Sequence, residues 1–384
     1  MSSKILFVAN WDWVLYNFRL PLAEALQRDG LEVLLVCPAG IYTDRIQQAG
    51  FAWRPWGMER KSMGLLQEAA ALLDLTRIYR EEAPDLVHHF TIKPCLYGSI
   101  AARMARVPRV LNNFTGLGFL FSDSRKAALL RLLLLPLMRV ALNWRNARLV
   151  FQNRANQQVF EQVRLSAPGE SVIIAGTGVD VERFSPASKT DSGEPLCLMA
   201  SRLLWDKGVG EYVAAAAYLL ETGYSGAFWL AGERDPGNPA CIPADQIEAW
   251  KQQGHVRFLG HRLDMPALLA QADIAVLPSY HEGVPLFLLE AAAAGLPLIG
   301  TDIEGCRTII DEGENGHVVP VKDYKALAGA IRHVGVDGAL RQRMGERSRA
   351  IAESRFDKER IIKQYRSLYQ SMGIRMLADG KDPR

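Results

Sequence analysis

The sequence of 384 residues lacks the features that define a disulfide framework, a zinc centre or a membrane span. Its five cysteines are odd in number, widely separated and never arranged as Cys-x-x-Cys, so we interpret them as reduced, packed thiols of a cytoplasmic protein. The longest apolar stretch, residues 127–142, is interrupted by two arginines and a proline. It is also shorter than the about 20 residues that cross a bilayer. We therefore expect no membrane-spanning helix.

The sequence also lacks the patterns of a metal site, of a dinucleotide-binding loop and of a signal peptide. No Asp-x-Asp pair occurs, and no carboxylates and histidines have metal-ligand spacing, so we expect no metal and no other cofactor. No Gly-x-Gly-x-x-Gly follows the first predicted strand of either half, which argues against a nicotinamide dehydrogenase. The first apolar run, residues 5–9, is too short for the core of a signal peptide, and polar residues follow it directly.

The net charge is only +3, but residues 1–185 hold 22 Lys and Arg against 16 Asp and Glu. Between residues 124 and 160 there is no acidic residue, and leucines fill many of the intervals between cations. Such a segment favours the headgroup plane of an anionic membrane. A leucine-rich core helix with solvated arginines is the alternative, and no nucleic-acid-binding motif accompanies the segment. Its seven cations are Arg125, Lys126, Arg131, Arg139, Arg145, Arg148 and Arg154.

Short apolar runs alternate with helix-length segments along the chain. Runs without strict alternation are typical of strands buried on both faces, hence of parallel sheets built from βαβ units. Six runs in each half predict an α/β fold with two Rossmann-like domains that face a cleft. The predicted strands are residues 4–10, 31–38, 85–90, 109–114, 148–153 and 171–176, and then 196–201, 227–232, 256–260, 274–279, 296–302 and 317–321.

A polar segment, residues 185–195, is the predicted linker because Ser, Pro, Gly and charge replace apolar periodicity there. It separates an N-terminal domain of residues 1–185 from a C-terminal domain of residues 195–355. The chain after about residue 340 predicts continuous helix. We expect its end, residues 356–384, to pack back on the N-terminal domain.

Two glutamates eight residues apart form the most specific pattern in the chain. Glu282 follows the predicted strand 274–279, and Pro285 precedes an apolar run that leads to Glu290. If Pro285 starts a helix, the free backbone N–H groups of the loop and the helix dipole form an anion site. Glu290 then faces inward and can accept hydrogen bonds from a ribose diol. The alternative is a capped helix with two incidental glutamates.

Two cations lie at the turn that follows the predicted strand 196–201. Arg202 can bind a phosphate through two N–H groups, and Lys207 adds a point charge five residues later. The alternative is that both residues are solvated surface charges. Such charges are not expected to cluster after strands. Two glutamates and two cations at the tips of parallel strands fit one nucleoside diphosphate.

The segments SRLLWDKGV (201–209) and PSYHEGVPLFLLEAAAAGLP (278–297) resemble the signature of retaining glycosyltransferase family four, a family of GT-B fold. The resemblance implies that Arg202 and Lys207 bind the diphosphate and stabilise the leaving group. It also implies that Glu290 binds the ribose and that Glu282, with the backbone after it, contacts the donor sugar and phosphate. The implied donor-binding set is Arg202, Lys207, Glu282, Gly283, Val284, Pro285 and Glu290, with Arg202, Lys207 and Glu282 as the catalytic residues.

In the N-terminal half, HHFTIKPCLYGSIAAR (88–103) and NNFTGLGFLF (112–121) are similar to bacterial N-acetylgalactosaminyltransferases acting on undecaprenyl-diphosphate-linked amino sugars. The resemblance implies an acceptor side, where glycines allow close approach of the backbone to a ligand. Ordinary strand-end turns are the alternative. Either His88 or His89 could face this side, and a packed histidine is the alternative for both. The implied acceptor set is Asn17, Arg19, His89, Lys93, Thr115, Gly116 and Gly118.

The resemblance further implies retaining, metal-independent transfer of a HexNAc, with GalNAc from UDP-GalNAc as the first choice, to an undecaprenyl-diphosphate-linked sugar. Arg202, Lys207 and helix N-termini then meet the charge that develops on the leaving diphosphate. We expect a cytoplasmic enzyme, peripheral on the inner face of the bacterial plasma membrane, with an anionic membrane surface and no nucleic acid as partner.

Two segments depart from the commoner family pattern and leave the donor open. AGERDPGNP (231–239) replaces a more glycine-rich turn, and Glu304 and Thr308 stand where glycine and glutamate are usual. Transfer of a hexose from another nucleotide-sugar is therefore one alternative. A UDP-sugar 2-epimerase of the same fold is another, although the basic leucine-rich segment argues against it. A non-catalytic assembly subunit would not need the four charged donor residues together.

Overall fold

The computed structural model describes residues 2–58, 64–116, 125–144, 146–166, 170–187 and 194–376. The chain divides into two compact units, each built on a parallel sheet. Unit 1 comprises Met1–Thr177 and Ile361–Arg384, and unit 2 comprises Gly178–Arg360.

Unit 1 holds a seven-stranded parallel sheet. Its strands are β1 (Lys4–Ala9), β2 (Glu32–Cys37), β3 (Ala52–Pro55), β4 (Leu86–Phe90), β5 (Val110–Phe114), β6 (Ala147–Phe151) and β7 (Ser171–Ile173). They lie in the order β3-β2-β1-β4-β5-β6-β7. The helices between these strands are α1 (Asp12–Phe18), α2 (Leu20–Arg28), α3 (Thr43–Gln48), α4 (Leu65–Glu82), α5 (Ile92–Ala105), α6 (Arg125–Leu142) and α7 (Arg154–Gln162).

Unit 2 holds a six-stranded parallel sheet. Its strands are β8 (Leu196–Ala200), β9 (Ala227–Ala231), β10 (Arg257–Gly260), β11 (Ile274–Leu277), β12 (Leu298–Thr301) and β13 (Gly316–Val319). They lie in the order β10-β9-β8-β11-β12-β13. Its helices are α8 (Val209–Glu221), α9 (Ala244–Gln253), α10 (Met265–Gln271), α11 (Leu286–Ala293), α12 (Glu304–Arg307), α13 (Tyr324–Gly335) and α14 (Gly338–Ile351). A last helix, α15 (Lys358–Ser371), continues into unit 1.

Strand β1 is apolar on both faces because helices cover both sides of the sheet of unit 1. In β1, Ile5 and Phe7 pack in a core that includes residues of α2 and α15. The alternate residues Leu6 and Val8 pack in a second core that includes residues of α4 and α5. Full burial of each such side chain stabilises the fold by about 1.5–3 kcal/mol. This two-sided burial explains the continuous apolar runs of the sequence.

The structure confirms the twelve predicted strands and adds β3, which was not predicted from the sequence. β3 is an edge strand that pairs only with β2 in the described sheet. Its residues are half-buried or exposed and include Arg54 and Pro55, so they form no apolar run. An edge strand needs no second buried face, and its sequence therefore carries a weaker signal.

The division between the units lies at Thr177, before the segment 185–195 that was predicted as the linker. The reason is backbone pairing inside unit 2. Val179 donates its N–H to the carbonyl of Phe356 at 2.8 Å, and its own carbonyl accepts from the N–H of Lys358 at 2.9 Å. Nη1 of Arg349 also donates to the carbonyl of Val181 at 2.7 Å. The polar segment therefore marks a loop in front of β8.

The C-terminal helix completes the core of unit 1, as its predicted return to the N-terminal domain required. Tyr365 and Tyr369 of α15 are buried against residues of β1 and β4. Between α14 and α15 the chain forms a π-helical segment, Ala352–Phe356, so the predicted continuous helix is interrupted there. None of the helices in the described ranges is long and apolar enough to cross a membrane.

Candidate functional site

In unit 2 the strand order reverses between β8 and β11. Ligands of parallel sheets bind beyond the carboxyl ends of the strands at such a switch point. The loop after β8 carries Arg202 and Lys207, and the loop after β11 carries Glu282. The structure thus brings the three predicted catalytic residues to the same edge of one sheet.

Lys207 and Glu282 form an ion pair between these two loops. The distance from Nζ of Lys207 to Oε1 of Glu282 is 2.6 Å, and the two side chains are 18% and 15% exposed. The backbone of the loops is also joined, because the N–H of Tyr280 donates to the carbonyl of Asp206 at 2.8 Å. The two loops therefore hold the cation and the carboxylate together.

Gly208 allows this close approach of the two loops. Its φ of +74° lies in the left-handed region, which favours glycine. A Cβ atom at this position would lie 2.0 Å from the carbonyl oxygen of Pro278. The glycine that follows Lys207 is therefore required by both conformation and space.

Arg202 is held by a carboxylate that was not predicted from the sequence. Its Nη1 lies 2.8 Å from Oδ2 of Asp235, which follows β9. Asp235 belongs to the segment 231–239 that departs from the commoner family pattern, and this departure was the only signal in the sequence. Arg202 and Lys207 therefore each contact a carboxylate, Asp235 and Glu282 respectively.

Helix α11 begins directly after Pro285, as predicted, and Glu290 lies in its second turn. Its carboxylate is half-buried and accepts no hydrogen bond from any described residue. Burial raises the pKa of Glu290 to about 8, although the positive charge of Arg183 lowers it in part. With this pKa the group is largely a neutral carboxylic acid at pH 7, so it can donate as well as accept a hydrogen bond.

The segment around Glu304 and Thr308 lies beside the same loop. α12 begins at Glu304, and a Cβ atom on Gly305 would lie 2.7 Å from the carbonyl oxygen of Glu282 and 2.6 Å from that of Gly283. The Thr308 hydroxyl donates to the carbonyl of Glu304 at 2.8 Å. This departure from the family pattern therefore adjoins the backbone that was predicted to contact the donor.

A cavity of about 230 Å³ lies at the carboxyl ends of β9 and β10. It adjoins the loop of Arg202, since Leu203 is one of its lining residues. The other lining residues are Gly232, Glu233, Arg234, Ala244, Ile247, Glu248, Lys251, Phe258 and Gly260.

In unit 1 the strand order reverses between β1 and β4, and a strained residue lies there. Thr91 follows β4 with φ +74° and ψ +164°, which is unfavourable for a β-branched residue. Its hydroxyl donates to Oδ1 of Asn10, which follows β1, at 2.9 Å. Neither residue was predicted from the sequence to belong to a site. Lys93, two residues after Thr91, pairs with Glu68 of α4 at 2.8 Å.

Two predicted acceptor residues, Arg19 and His89, are buried inside unit 1. The Arg19 guanidinium lies 4.4 Å from the centre of the Phe90 ring, and burial lowers its pKa. In His89, Nδ1 lies 2.7 Å from Oδ1 of Asn112 and Nε2 lies 2.8 Å from the Tyr79 hydroxyl. Both ring nitrogens are therefore occupied, and burial lowers the pKa of His89 to about 4. The acceptor role of Arg19 and His89 stays a prediction that their burial does not favour.

His88 is buried as well, and its Nδ1 lies 2.6 Å from the hydroxyl of Tyr369 in α15. Each histidine thus points to a different face of the sheet, and both are packed. The other predicted acceptor residues that the structure describes are less buried. Asn17 is exposed on α1, and Thr115 and Gly116 are half-buried after β5. Gly118 lies outside the described residues.

The basic leucine-rich segment forms α6, which has one buried and one exposed face. Met138 and Leu142 pack in a core of unit 1. Leu137 and Val140 are 43% and 63% exposed. The guanidinium of Arg139 donates to the carbonyl of Val163 at 3.0 Å, which fixes it on the surface. Arg125 and Lys126 begin the helix, and Arg131 is half-buried within it.

All five cysteines are free, and four of them are buried. Burial raises the pKa of the Cys306 thiol to about 12, so this thiol stays protonated at neutral pH. In the parts of the chain that the structure describes, no group of three or more His, Cys, Asp or Glu residues could hold a metal ion.

The chain is similar to known families and proteins over nearly its whole length. Residues 180–351 match the glycosyl transferases group 1 family, and residues 4–154 match the glycosyl transferase 4-like family. The chain is 27% identical over 379 residues to the N,N'-diacetylbacillosaminyl-diphospho-undecaprenol alpha-1,3-N-acetylgalactosaminyltransferase of Campylobacter jejuni, a match that covers 95% of this chain and 98% of that protein.

Two further comparisons extend this result. The chain is 27% identical over 330 residues to the UDP-Gal:alpha-D-GlcNAc-diphosphoundecaprenol alpha-1,3-galactosyltransferase of Escherichia coli, with 83% of each chain covered. The crystal structure of Anabaena HepE in complex with UDP and glucose superposes with a TM-score of 0.76 at 22% identity, covering 96% of this chain and 100% of that one. These matches confirm the predicted GT-B fold and the predicted family.

Proposed function

We propose a specific reaction for this chain, which belongs to the group 1 glycosyl transferases over residues 180–351 and to the glycosyl transferase 4-like family over residues 4–154. The chain transfers a HexNAc, GalNAc from UDP-GalNAc, to a sugar linked to undecaprenyl diphosphate, with retention at the anomeric carbon. No metal or other cofactor takes part. The reaction extends a lipid-linked glycan in a bacterial cell.

The observation that carries this function is the meeting of Arg202, Lys207 and Glu282 at the switch point of unit 2. Two cations in the loop after β8 match the two phosphates of a nucleoside diphosphate, and α11 begins shortly after Glu282, the partner of Lys207. The unsatisfied carboxyl group of Glu290 is an acceptor for the hydroxyls of the ribose. The cavity next to Leu203 provides space for the base.

Similarity to the Campylobacter jejuni transferase supports the lipid-linked acceptor, because the match covers 95% of this chain and so extends over most of unit 1. The name of the Escherichia coli relative also gives a diphosphoundecaprenol-linked sugar as the acceptor. Thr115, Gly116, Lys93 and Asn17 are the acceptor residues that are open enough for this role.

The transfer proceeds on one face of the donor sugar. The bond between the anomeric carbon and the departing phosphate oxygen breaks, and its electron pair leaves with the diphosphate. Arg202 and Lys207 stabilise this developing charge. The acceptor oxygen bonds to the anomeric carbon on the same face, and its proton moves to the departing phosphate oxygen. A covalent glycosyl intermediate trapped on Glu282 would contradict this course.

The exposed face of α6 is the part of unit 1 that meets the membrane in this proposal. Leu137 and Val140 are apolar and exposed, and the helix carries several cations and no acidic residue. Anionic lipids attract such a helix by about 1 kcal/mol per cation. Sedimentation with anionic and with neutral vesicles tests this, with the Arg125→Gln, Lys126→Gln double variant expected to bind the anionic vesicles less tightly.

Transfer of a hexose is the second candidate, because the Escherichia coli relative is named as a galactosyltransferase. Release of UDP from UDP-GalNAc, UDP-GlcNAc, UDP-Gal and UDP-Glc, each with and without a polyprenyl-diphosphate-linked sugar, separates the possibilities. The proposed reaction releases UDP from UDP-GalNAc only with the lipid. Faster lipid-dependent release from UDP-Gal supports the second candidate, and conversion of a UDP-hexosamine into its C2 epimer without the lipid, seen by NMR, supports an epimerase.

A further inference from the structure

We propose that Asp235 is a positioning residue for Arg202. The two side chains form an ion pair in the enzyme without bound diphosphate, and they form it again when UDP dissociates. This inference rests on the proposed function of the site. Asp235 acts through Arg202 and needs no contact with the substrate. Its effect is to weaken the binding of the product UDP more than the binding of the donor.

The carboxylate is the better fixed member of the Asp235–Arg202 pair. Asp235 is 15% exposed, whereas Arg202 is 39% exposed and makes its contact through Nη1 alone. The guanidinium can therefore rotate toward a phosphate while the carboxylate stays in place. A bond through one nitrogen leaves the other N–H groups of the guanidinium for a second acceptor.

Backbone hydrogen bonds hold the loop of Asp235 against the loop of Arg202. The N–H of Leu203 donates to the carbonyl of Glu233 at 2.9 Å, and the N–H of Ile242 donates to the carbonyl of Leu203 at 3.1 Å. The N–H of Trp205 donates to the carbonyl of Ala240 at 2.8 Å. These bonds flank Asp235 on both sides along the chain, so the loop is built to keep this carboxylate near the guanidinium.

The charges around Arg202 explain how its ion pair with Asp235 affects the binding of a diphosphate. Arg202 and Lys207 are each paired with a carboxylate, which offsets part of the positive charge that a diphosphate would meet. A diphosphate must compete with Asp235 for Arg202. Once Arg202 has turned to the phosphate, the carboxylate of Asp235 is left without this partner and repels the phosphate. The donor carries one negative charge fewer than UDP, because breaking the glycosidic bond leaves its electron pair on the diphosphate. Arg202 therefore moves toward the phosphate as this charge develops, and Asp235 favours its return.

The experiment compares the wild type with Asp235→Asn, Asp235→Glu and a matched control, Asp264→Asn. Asp264 forms a surface pair with Arg262 at 2.5 Å after β10, the edge strand of the same sheet, and so tests the general loss of one carboxylate. Titration calorimetry in EDTA measures the dissociation constants of UDP and UMP. Steady-state kinetics measures kcat, KM and inhibition by UDP, and thermal unfolding checks the fold.

Asp235→Asn is expected to bind UDP about three- to tenfold more tightly than the wild type. The change for UMP, which lacks the β-phosphate, is expected to be smaller. Inhibition by UDP then rises and kcat falls, while Asp235→Glu and Asp264→Asn behave as the wild type does. A purely structural role would lower the melting temperature and weaken both ligands equally.

Weaker or unchanged UDP binding by a folded Asp235→Asn variant overturns the role of Asp235 and leaves the proposed function intact. An equal gain in UDP affinity in Asp264→Asn also overturns it, because the effect would then be one of overall charge. A wild type that binds no UDP at all overturns the proposed function, and the role of Asp235 with it.

Discussion

In unit 2, Nζ of Lys207 lies 2.6 Å from Oε1 of Glu282, across the two loops that flank the point where the strand order reverses. The pair is largely buried, and the backbone contact between Tyr280 and Asp206 holds the loops in register. A cation fixed in this way needs little rearrangement to meet a charge that develops during the reaction.

Replacement of Lys207 by Met is expected to lower kcat by about 10²- to 10³-fold, because one fixed charge that stabilises the leaving group is lost. Initial-rate kinetics with donor and lipid acceptor measures this. The matched control is Lys325→Met, which removes an exposed lysine of α13 in the same unit. Equal activity of the Lys207 variant and the control would contradict a catalytic role for Lys207.

Replacement of Glu290 by Gln is expected to stabilise the protein at alkaline pH and to weaken UDP binding. Burial raises the pKa of Glu290 to about 8 from an ordinary 4.5, so the wild type loses stability as the pH rises from about 4.5 to 8. The glutamine does not titrate. Thermal unfolding should therefore give equal melting temperatures near pH 4.5 and a higher one for the variant above pH 8. A difference independent of pH would contradict the raised pKa of Glu290.

Replacement of Gly208 by Ala is expected to destabilise the protein by about 3 kcal/mol or more, because the new Cβ would overlap the carbonyl of Pro278 in a left-handed backbone. Gly223→Ala is the control, since Gly223 has φ +79° with no atom within 4 Å of the added Cβ. It should cost only about 1–2 kcal/mol of left-handed strain. Denaturant unfolding measures both. Equal losses would mean that the loops after β8 and β11 are not in contact.

Replacement of Tyr79 by Phe is expected to lower the free energy of unfolding by about 1–3 kcal/mol, because Nε2 of His89 would lose its buried partner. The KM for the lipid acceptor should not change, since His89 is packed inside unit 1. Denaturant unfolding and acceptor kinetics together test this. A rise in KM without loss of stability would instead support the predicted contact of His89 with the acceptor sugar.

The arrangement of the sheets could be predicted because burial on both faces leaves a signal in consecutive residues. β1 and β8 are continuous apolar runs, whereas the edge strand β3 is short and mixed and was missed. The charged donor residues could be found for a similar reason. Arg202 and Glu282 follow buried strands, and parallel strands bring their carboxyl ends to one edge.

Pairings between distant loops could not be predicted. Asp235 lies 33 residues from Arg202, and Asn10 lies 81 residues from Thr91, so neither pair forms a local pattern. The burial of His88 depends on Tyr369, which follows it by 281 residues. Contacts of this kind depend on the folded chain and not on the spacing of residue types.

Transfer of the sugar itself tests the central claim most directly. The purified protein is incubated in EDTA with UDP-GalNAc and a short-chain polyprenyl-diphosphate amino sugar, and the lipid is analysed by mass spectrometry. The proposed function predicts a lipid product heavier by one HexNAc, formed by the wild type and by Lys325→Met but nearly absent with Lys207→Met. No heavier lipid from the wild type with any UDP-hexosamine or UDP-hexose, in a protein that binds UDP, would contradict the assignment of a lipid-linked acceptor.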